Sequence, residues 1–137
     1  MNSTIKNFLV IIVAIVVGSI VNMGIVMISS SIIPPPNGAD ITTVERLKNS
    51  LHLFEPKHFI FPFLAHAIGT LAGALFASKF ASNNHKNMAL LVGVIFLVFG
   101  TINVVMLPAP MWFNVVDLVG AYIPMAYLGY KISRAKS

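Results

Sequence analysis

Apolar residues run almost unbroken from Phe8 to about Ile33. Gly18, Ser19, Asn22, Gly24, Ser29, Ser30 and Ser31 are the small or polar interruptions. At 1.5 Å per residue a helix over this stretch reaches ~39 Å, more than the roughly 30 Å hydrocarbon thickness of a bilayer. Three further runs follow, over about 59–81, 88–107 and 111–130. Pro34-Pro35-Pro36-Asn37-Gly38 ends the first, because proline has no N–H and crowds the preceding turn. Ser82 to Asn87 is a short polar link of the kind that joins antiparallel neighbours, and Pro108-Ala109-Pro110 is a rigid reversal. The pattern predicts an all-α integral membrane protein. Its fold would be an antiparallel four-helix transmembrane bundle, one domain over 1–137, with a short amphipathic helix in the first, outer loop.

That loop, 34–58, carries the main polar stretch. Thr42 followed by Glu45 reads as a capping box. Val44, Leu47, Leu51 and Phe54 recur at helical spacing on one face, with Glu45, Arg46, Lys48 and Asn49 away from it. A short helix ended by Pro56 is expected here, lying on the membrane surface or across the mouth of the bundle. The start of the chain also has a second reading. Lys6 before an apolar stretch, with Gly18-Ser19 beyond it, resembles a secretory signal. A signal core spans about 7–15 residues, however, and this run continues well past it. An uncleaved helix is the reading taken.

Composition supports the membrane assignment. Of 137 residues 57% are hydrophobic and only 9% charged, against roughly 25% charged in an average soluble domain. So few charges cannot cover a globular surface, whereas lipid requires no polar exterior. The net charge of +5 raises nucleic acid as a partner, but the basic residues stand singly at the ends of apolar runs and form no stripe. They act instead as orientation signals. Lys6, Lys79, Lys86, Lys131, Arg134 and Lys136 fall on the side of both termini, and Arg46, Lys48 and Lys57 on the other. The positive-inside rule places both termini in the cytoplasm, with a bacterial inner membrane as the expected location. Trp112 would anchor at the headgroup level. Without cysteine the chain has no disulfide, thiolate metal site or thiol chemistry.

Candidate chemistry lies in the polar residues within the spans. Asn22 lies ~16 Å below the outer end of its span, His66 ~12 Å and Asn103 ~7 Å, and Asp117 falls within about two turns of its own outer end. Each span thus contributes one strongly polar residue to the outer half of the bilayer, where an unpaired polar group costs several kcal/mol. They should face one another. Asn22 and Asn103 also read as interhelical hydrogen-bond glue, and His66 as a packing histidine. Asp117 has two readings. If span four starts at Asn114, Asp117 is a structural N3 carboxylate serving the helix start. If the span starts at Pro110, Asp117 lies deeper and becomes a functional candidate. The sharper expectation pairs Asp117 with His66, flanked by Asn22 and Asn103.

Other features are weaker. Ala65, Gly69, Gly73 and Ala77 recur every four residues and allow close backbone approach, within the bundle or across a dimer. Pro124 cannot donate to the carbonyl of Gly120, so a kink or hinge is expected there. His52, Glu55 and His58 lack the histidine spacing of a zinc helix, and no metal or cofactor is expected. Tyr122, Tyr127 and Tyr130 read as packing and inner-interface anchors. Three function classes follow. The leading one is transport or binding of a small polar solute, cation or proton, in a homo-oligomer or larger membrane complex. The second is a non-catalytic accessory or scaffold subunit. A membrane-embedded enzyme comes third, since no nucleophile accompanies His66 and Asp117.

Overall fold

The computed structural model describes residues 2–133 and is 82% helix, with no strand among the described residues. Arg134 and Lys136, counted above for orientation, lie outside them. Among the described residues six α-helices occur in chain order: α1 (Ser3–Ile32), α2 (Val44–Ser50), α3 (Ile60–Phe80), α4 (His85–Met106), α5 (Met111–Gly120) and α6 (Ile123–Ser133). Four helical stretches of the described residues are long and apolar enough to cross a membrane: α1, α3 with its leading turn Pro56–Phe59, α4, and α5 with α6.

Helix starts differ from the sequence expectations for local reasons. α1 begins five residues early because the Asn2 side chain accepts from the Thr4 N–H at 2.7 Å. At 30 residues it is about 45 Å long. α2 is capped by Thr43, whose side chain accepts from Arg46 N, and not by Thr42. Thr42 is held elsewhere, donating from its N–H (3.0 Å) and hydroxyl (2.6 Å) to Asp40 Oδ1. α4 starts at His85, behind Asn84 in the left-handed region at φ 52. His85 Nδ1 lies 2.7 Å from the Ser78 carbonyl and caps the end of α3.

α3 is the hub, packing against α1, α4 and α6, while α1 makes little contact with α4. The small-residue stripe on α3 is used within the chain. A Cβ on Gly69 would lie 2.9 Å from the Gly18 carbonyl oxygen, and one on Gly73 2.8 Å from that of Ala14. Ala65 and Ala77 are fully buried in the same array. α1 answers with Ala14, Gly18 and Asn22 at the same four-residue spacing. Consecutive long stretches run antiparallel. Asn7 accepts from Ser82 N and donates to Asn83 beyond the end of α3, and Phe96 of α4 lies against Gly18 and Gly73. Ser78 meets Ser133 at 2.9 Å at the same end. That end therefore has polar contacts of its own.

The opposite end is covered by residues 34–59. Leu47, Leu51 and Phe54 pack on Phe59 and Phe113, and Trp112 sits edge-on to Phe59 and Phe113. Ser50 pins the cover, its Oγ accepting from Asp40 N at 2.9 Å. The two bonds from Thr42 hold the Asp40 carboxyl below its ordinary value of 3.8. A depressed acid of this kind contributes fully above the ordinary value, and the contribution disappears as pH falls through the lowered one. Protection of the Thr42 amide, its exchange rate relative to the unstructured rate at the same pH, is therefore expected to hold from neutral pH through the ordinary carboxyl range and to fall only at strongly acid pH. Loss of that protection already at pH 5 would contradict this.

The fourth stretch is interrupted at Ala121–Tyr122, between α5 and α6. Pro124 lies in the first turn of α6, where its missing N–H disrupts no ladder. A Cβ on Gly120 would meet only Phe63, at an ordinary 3.6 Å. Pro124→Ala and Gly120→Ala should each change unfolding free energy by less than about 1 kcal/mol. A loss near the ~3 kcal/mol typical of a helix-interior proline effect would mean that the bend itself is under strain.

Candidate functional site

The two possible starts for the fourth stretch resolve at Pro110, which is extended (φ −60, ψ 145) and precedes α5. Asn114 is then interior to the helix, with only a long 3.4 Å contact to the Ala109 carbonyl. Asp117 falls in the second turn, clear of the unpaired N–H groups at the helix start, so its carboxylate is not committed to capping. It is 3% exposed.

His66 on α3 approaches it from across the bundle, Nδ1 to Asp117 Oδ1 at 2.8 Å. The second carboxylate oxygen, Oδ2, accepts from the Tyr122 hydroxyl at 3.2 Å. The Tyr122 ring stacks on the His66 ring with centroids 5.9 Å apart. Tyr122 is 3% exposed and lies inside the bundle, which fits the packing role expected for it and not the inner-interface one. Residues five apart on a continuous helix point roughly 140° away from each other. The interruption at Ala121–Tyr122 removes that constraint and lets the hydroxyl reach back to Asp117. On α4, Gly100 leaves the space that the Tyr122 ring fills. Thr70, one turn beyond His66 and also buried, donates to the His66 carbonyl at 2.7 Å. Sequence reasoning missed both. The signals were an Asp-x4-Tyr spacing across a Gly-x3-Pro break and a threonine four residues after an intramembrane histidine.

Two adjoining cavities border this group. The first, about 170 Å³, is lined by Asn22, Ser19, His66, Thr70, Asn103 and Tyr122 on an otherwise apolar wall of small and aromatic residues. The second, about 240 Å³, lies toward the covered end between Leu47, Leu51, Phe54 and Phe113 and reaches His66, Asn103 and Asp117. His66, Gly100 and Asn103 border both. The structure thus brings all four polar candidates to a pair of adjoining cavities, Asn22 on the first, Asp117 on the second, and His66 and Asn103 on both. They are not equally engaged. Asn22 Oδ1 is buried without a hydrogen-bond partner, and Asn103 is exposed at the cavity rim.

The arrangement can hold and hand on a proton. With Nδ1–H donated to Asp117, Nε2 of the His66 ring accepts when the ring is neutral and donates when it is protonated. Tyr122 fixes the other carboxylate oxygen and leaves the His66–Asp117 pair little freedom to turn. Among the described residues no three of His, Cys, Asp or Glu gather as a metal site. His58 is engaged locally, its Nδ1 accepting from the Glu55 N–H at 2.9 Å. Comparison with protein-family models, curated proteins and solved structures gives no match.

Proposed function

We propose that this chain is a multi-pass membrane protein that binds or transports a small polar solute, cation or proton at the His66–Asp117–Tyr122 cluster. Both termini lie in the cytoplasm and the cluster sits in the outer half of the bilayer. Four helices long and apolar enough to span a membrane support the first part. The observation that carries the second is a histidine–aspartate pair at 2.8 Å bordering two cavities within those helices. An ionisable pair in an apolar bundle is costly, and where it lines open space it marks a ligand or proton path. A scaffold would be served as well by apolar packing, which carries no such cost.

The test uses the full chain in liposomes loaded with a pH-sensitive dye, with methylammonium uptake measured in parallel. The wild-type chain should carry one or both saturably, and Asp117→Asn and His66→Ala should reduce the flux at least tenfold. Flux no greater than that of protein-free liposomes, or unchanged in both variants, would contradict the reading and favour the accessory-subunit alternative.

A further inference from the structure

We infer that the seam between α4 and α6, at the end opposite the cover, holds one anionic phospholipid whose phosphate is taken by Lys86 and Lys131. The inference needs only that the long helices cross a bilayer, and it does not depend on the His66–Asp117 cluster.

Charge is distributed unevenly along the bundle. The four acidic residues of the chain are Asp40, Glu45 and Glu55, all in the loop that forms the cover, and Asp117. At the covered end Arg46 pairs with Asp40 at 3.4 Å and Lys57 with Glu55 at 3.6 Å. At the other end Lys6, Lys79, Lys86 and Lys131 are exposed, and none has an acidic partner among the described residues. Orientation in the membrane requires only that such residues stand on one side. Two of them are placed more narrowly than that. Lys86, in the first turn of α4, and Lys131, in the last turn of α6, both lie over the Tyr127 ring. Their ammonium groups are 5.7 and 5.4 Å from its centre. The ring attracts each cation electrostatically, and Tyr130 packs beside it with centroids 6.0 Å apart. Two like charges are thus gathered on one ring with no counter-ion from the chain. Both side chains end on flexible four-carbon stems and can turn onto one phosphate.

Each lysine also heads an apolar column. Residues four apart on a helix lie on one face. Lys86, Leu90 and Val94 form such a column on α4, and Lys131, Tyr127 and Ile123 form one on α6. Val94, Tyr127 and Ile123 are 46%, 40% and 36% exposed. The two helices come close here, since a Cβ on Gly93 would lie 2.6 Å from the Ala126 Cβ and 3.5 Å from Ile123 Cδ1. The surface is therefore cationic at its end and apolar below, the order of a phosphate and its acyl chain. An acidic peptide would meet the lysines but not the membrane-embedded residues beneath them. A zwitterionic lipid would bring its own ammonium against them. A headgroup of net negative charge fits both parts.

The test is photolabelling of the full chain in phosphatidylcholine nanodiscs. The probe is a trace of phosphatidylglycerol with a diazirine in its acyl chain, and labelled sites are assigned by mass spectrometry. Unlabelled phosphatidylglycerol or phosphatidylethanolamine then replaces part of the phosphatidylcholine, and glycerol phosphate is added to the water in a separate arm. Labelling should be saturable and concentrated around Leu90, Val94 and Ile123. Phosphatidylglycerol should compete at least fivefold better than phosphatidylethanolamine, and glycerol phosphate should not compete. Lys86→Gln and Lys131→Gln should each weaken labelling roughly fivefold, and together ~25-fold, the worth of one and two lysines at an anionic surface. Lys86→Arg with Lys131→Arg should keep it. Lys6→Gln with Lys79→Gln should leave it unchanged. An equal loss in that last variant would show a diffuse surface charge and overturn the inference. Equal competition by the two lipids, or competition by glycerol phosphate, would overturn it on the wild-type chain alone.

Discussion

Replacing Asp117 by alanine is expected to lower the unfolding free energy by about 3–5 kcal/mol, the cost of removing one partner from a buried, hydrogen-bonded ionisable pair. The carboxylate is 3% exposed and takes bonds from two other side chains, so its loss strands His66 and Tyr122 together. Asp117→Asn should cost less, because the amide oxygen still accepts from one of them. The double variant His66→Leu with Asp117→Leu should recover most of the stability, since an apolar pair removes the buried polar groups and their desolvation. It should still be inactive. Reversible denaturant titration in mild detergent, followed by circular dichroism, reads all three. A loss below about 1 kcal/mol in Asp117→Ala would place the pair in an open, well-hydrated setting.

Gly73→Leu, or Gly69→Leu, should detach α1 from the rest of the protein. The added Cβ would lie 2.8 Å from the Ala14 carbonyl oxygen in the first case and 2.9 Å from that of Gly18 in the second. Both obstacles are backbone and cannot rotate away. Overpacking costs typically 1–3 kcal/mol where side chains can give, and more is expected here. Gly24→Ala is the matched control, because a Cβ there has nothing within 4 Å. It should be neutral, or stabilising by up to about 1 kcal/mol through better helix propensity. Limited proteolysis in the 34–43 loop, together with denaturant titration, separates the two outcomes. Similar behaviour of Gly24→Ala and Gly73→Leu would show that α1 is held by something other than this close contact.

The helices and their approximate ends were legible because apolar runs bounded by Pro34, Pro56, Ser82 and Pro108 leave few alternatives. So was the convergence of Asn22, His66, Asn103 and Asp117, since depth follows from counting residues along a helix. The start at Pro110 could be argued from length alone, as a span from Asn114 would be short. What was not legible depends on rotation and tertiary approach. No periodicity shows that Tyr122 turns back to Asp117, because on an unbroken helix the two would point apart. Which helix the Ala65–Ala77 stripe packs on is also undetermined until Ala14 and Gly18 are seen opposite it. The cap at Thr43 displaced the one expected at Thr42 because Asp40 binds Thr42 first. The polar contacts of Asn7, Ser78, His85 and Ser133 at the other end were missed because short polar side chains near helix ends give no pattern by themselves.

The pairing of His66 with Asp117 inside an apolar bundle is tested most directly by magic-angle-spinning NMR on the full chain in lipid bilayers, with histidine and aspartate isotopically labelled. A through-space correlation between His66 Nδ1 and the Asp117 carboxyl carbon, present in the wild-type chain and absent from His66→Ala, is the expected result. Its absence from the wild-type chain, with both side chains exchanging freely with water, would contradict the buried pair and the function proposed from it.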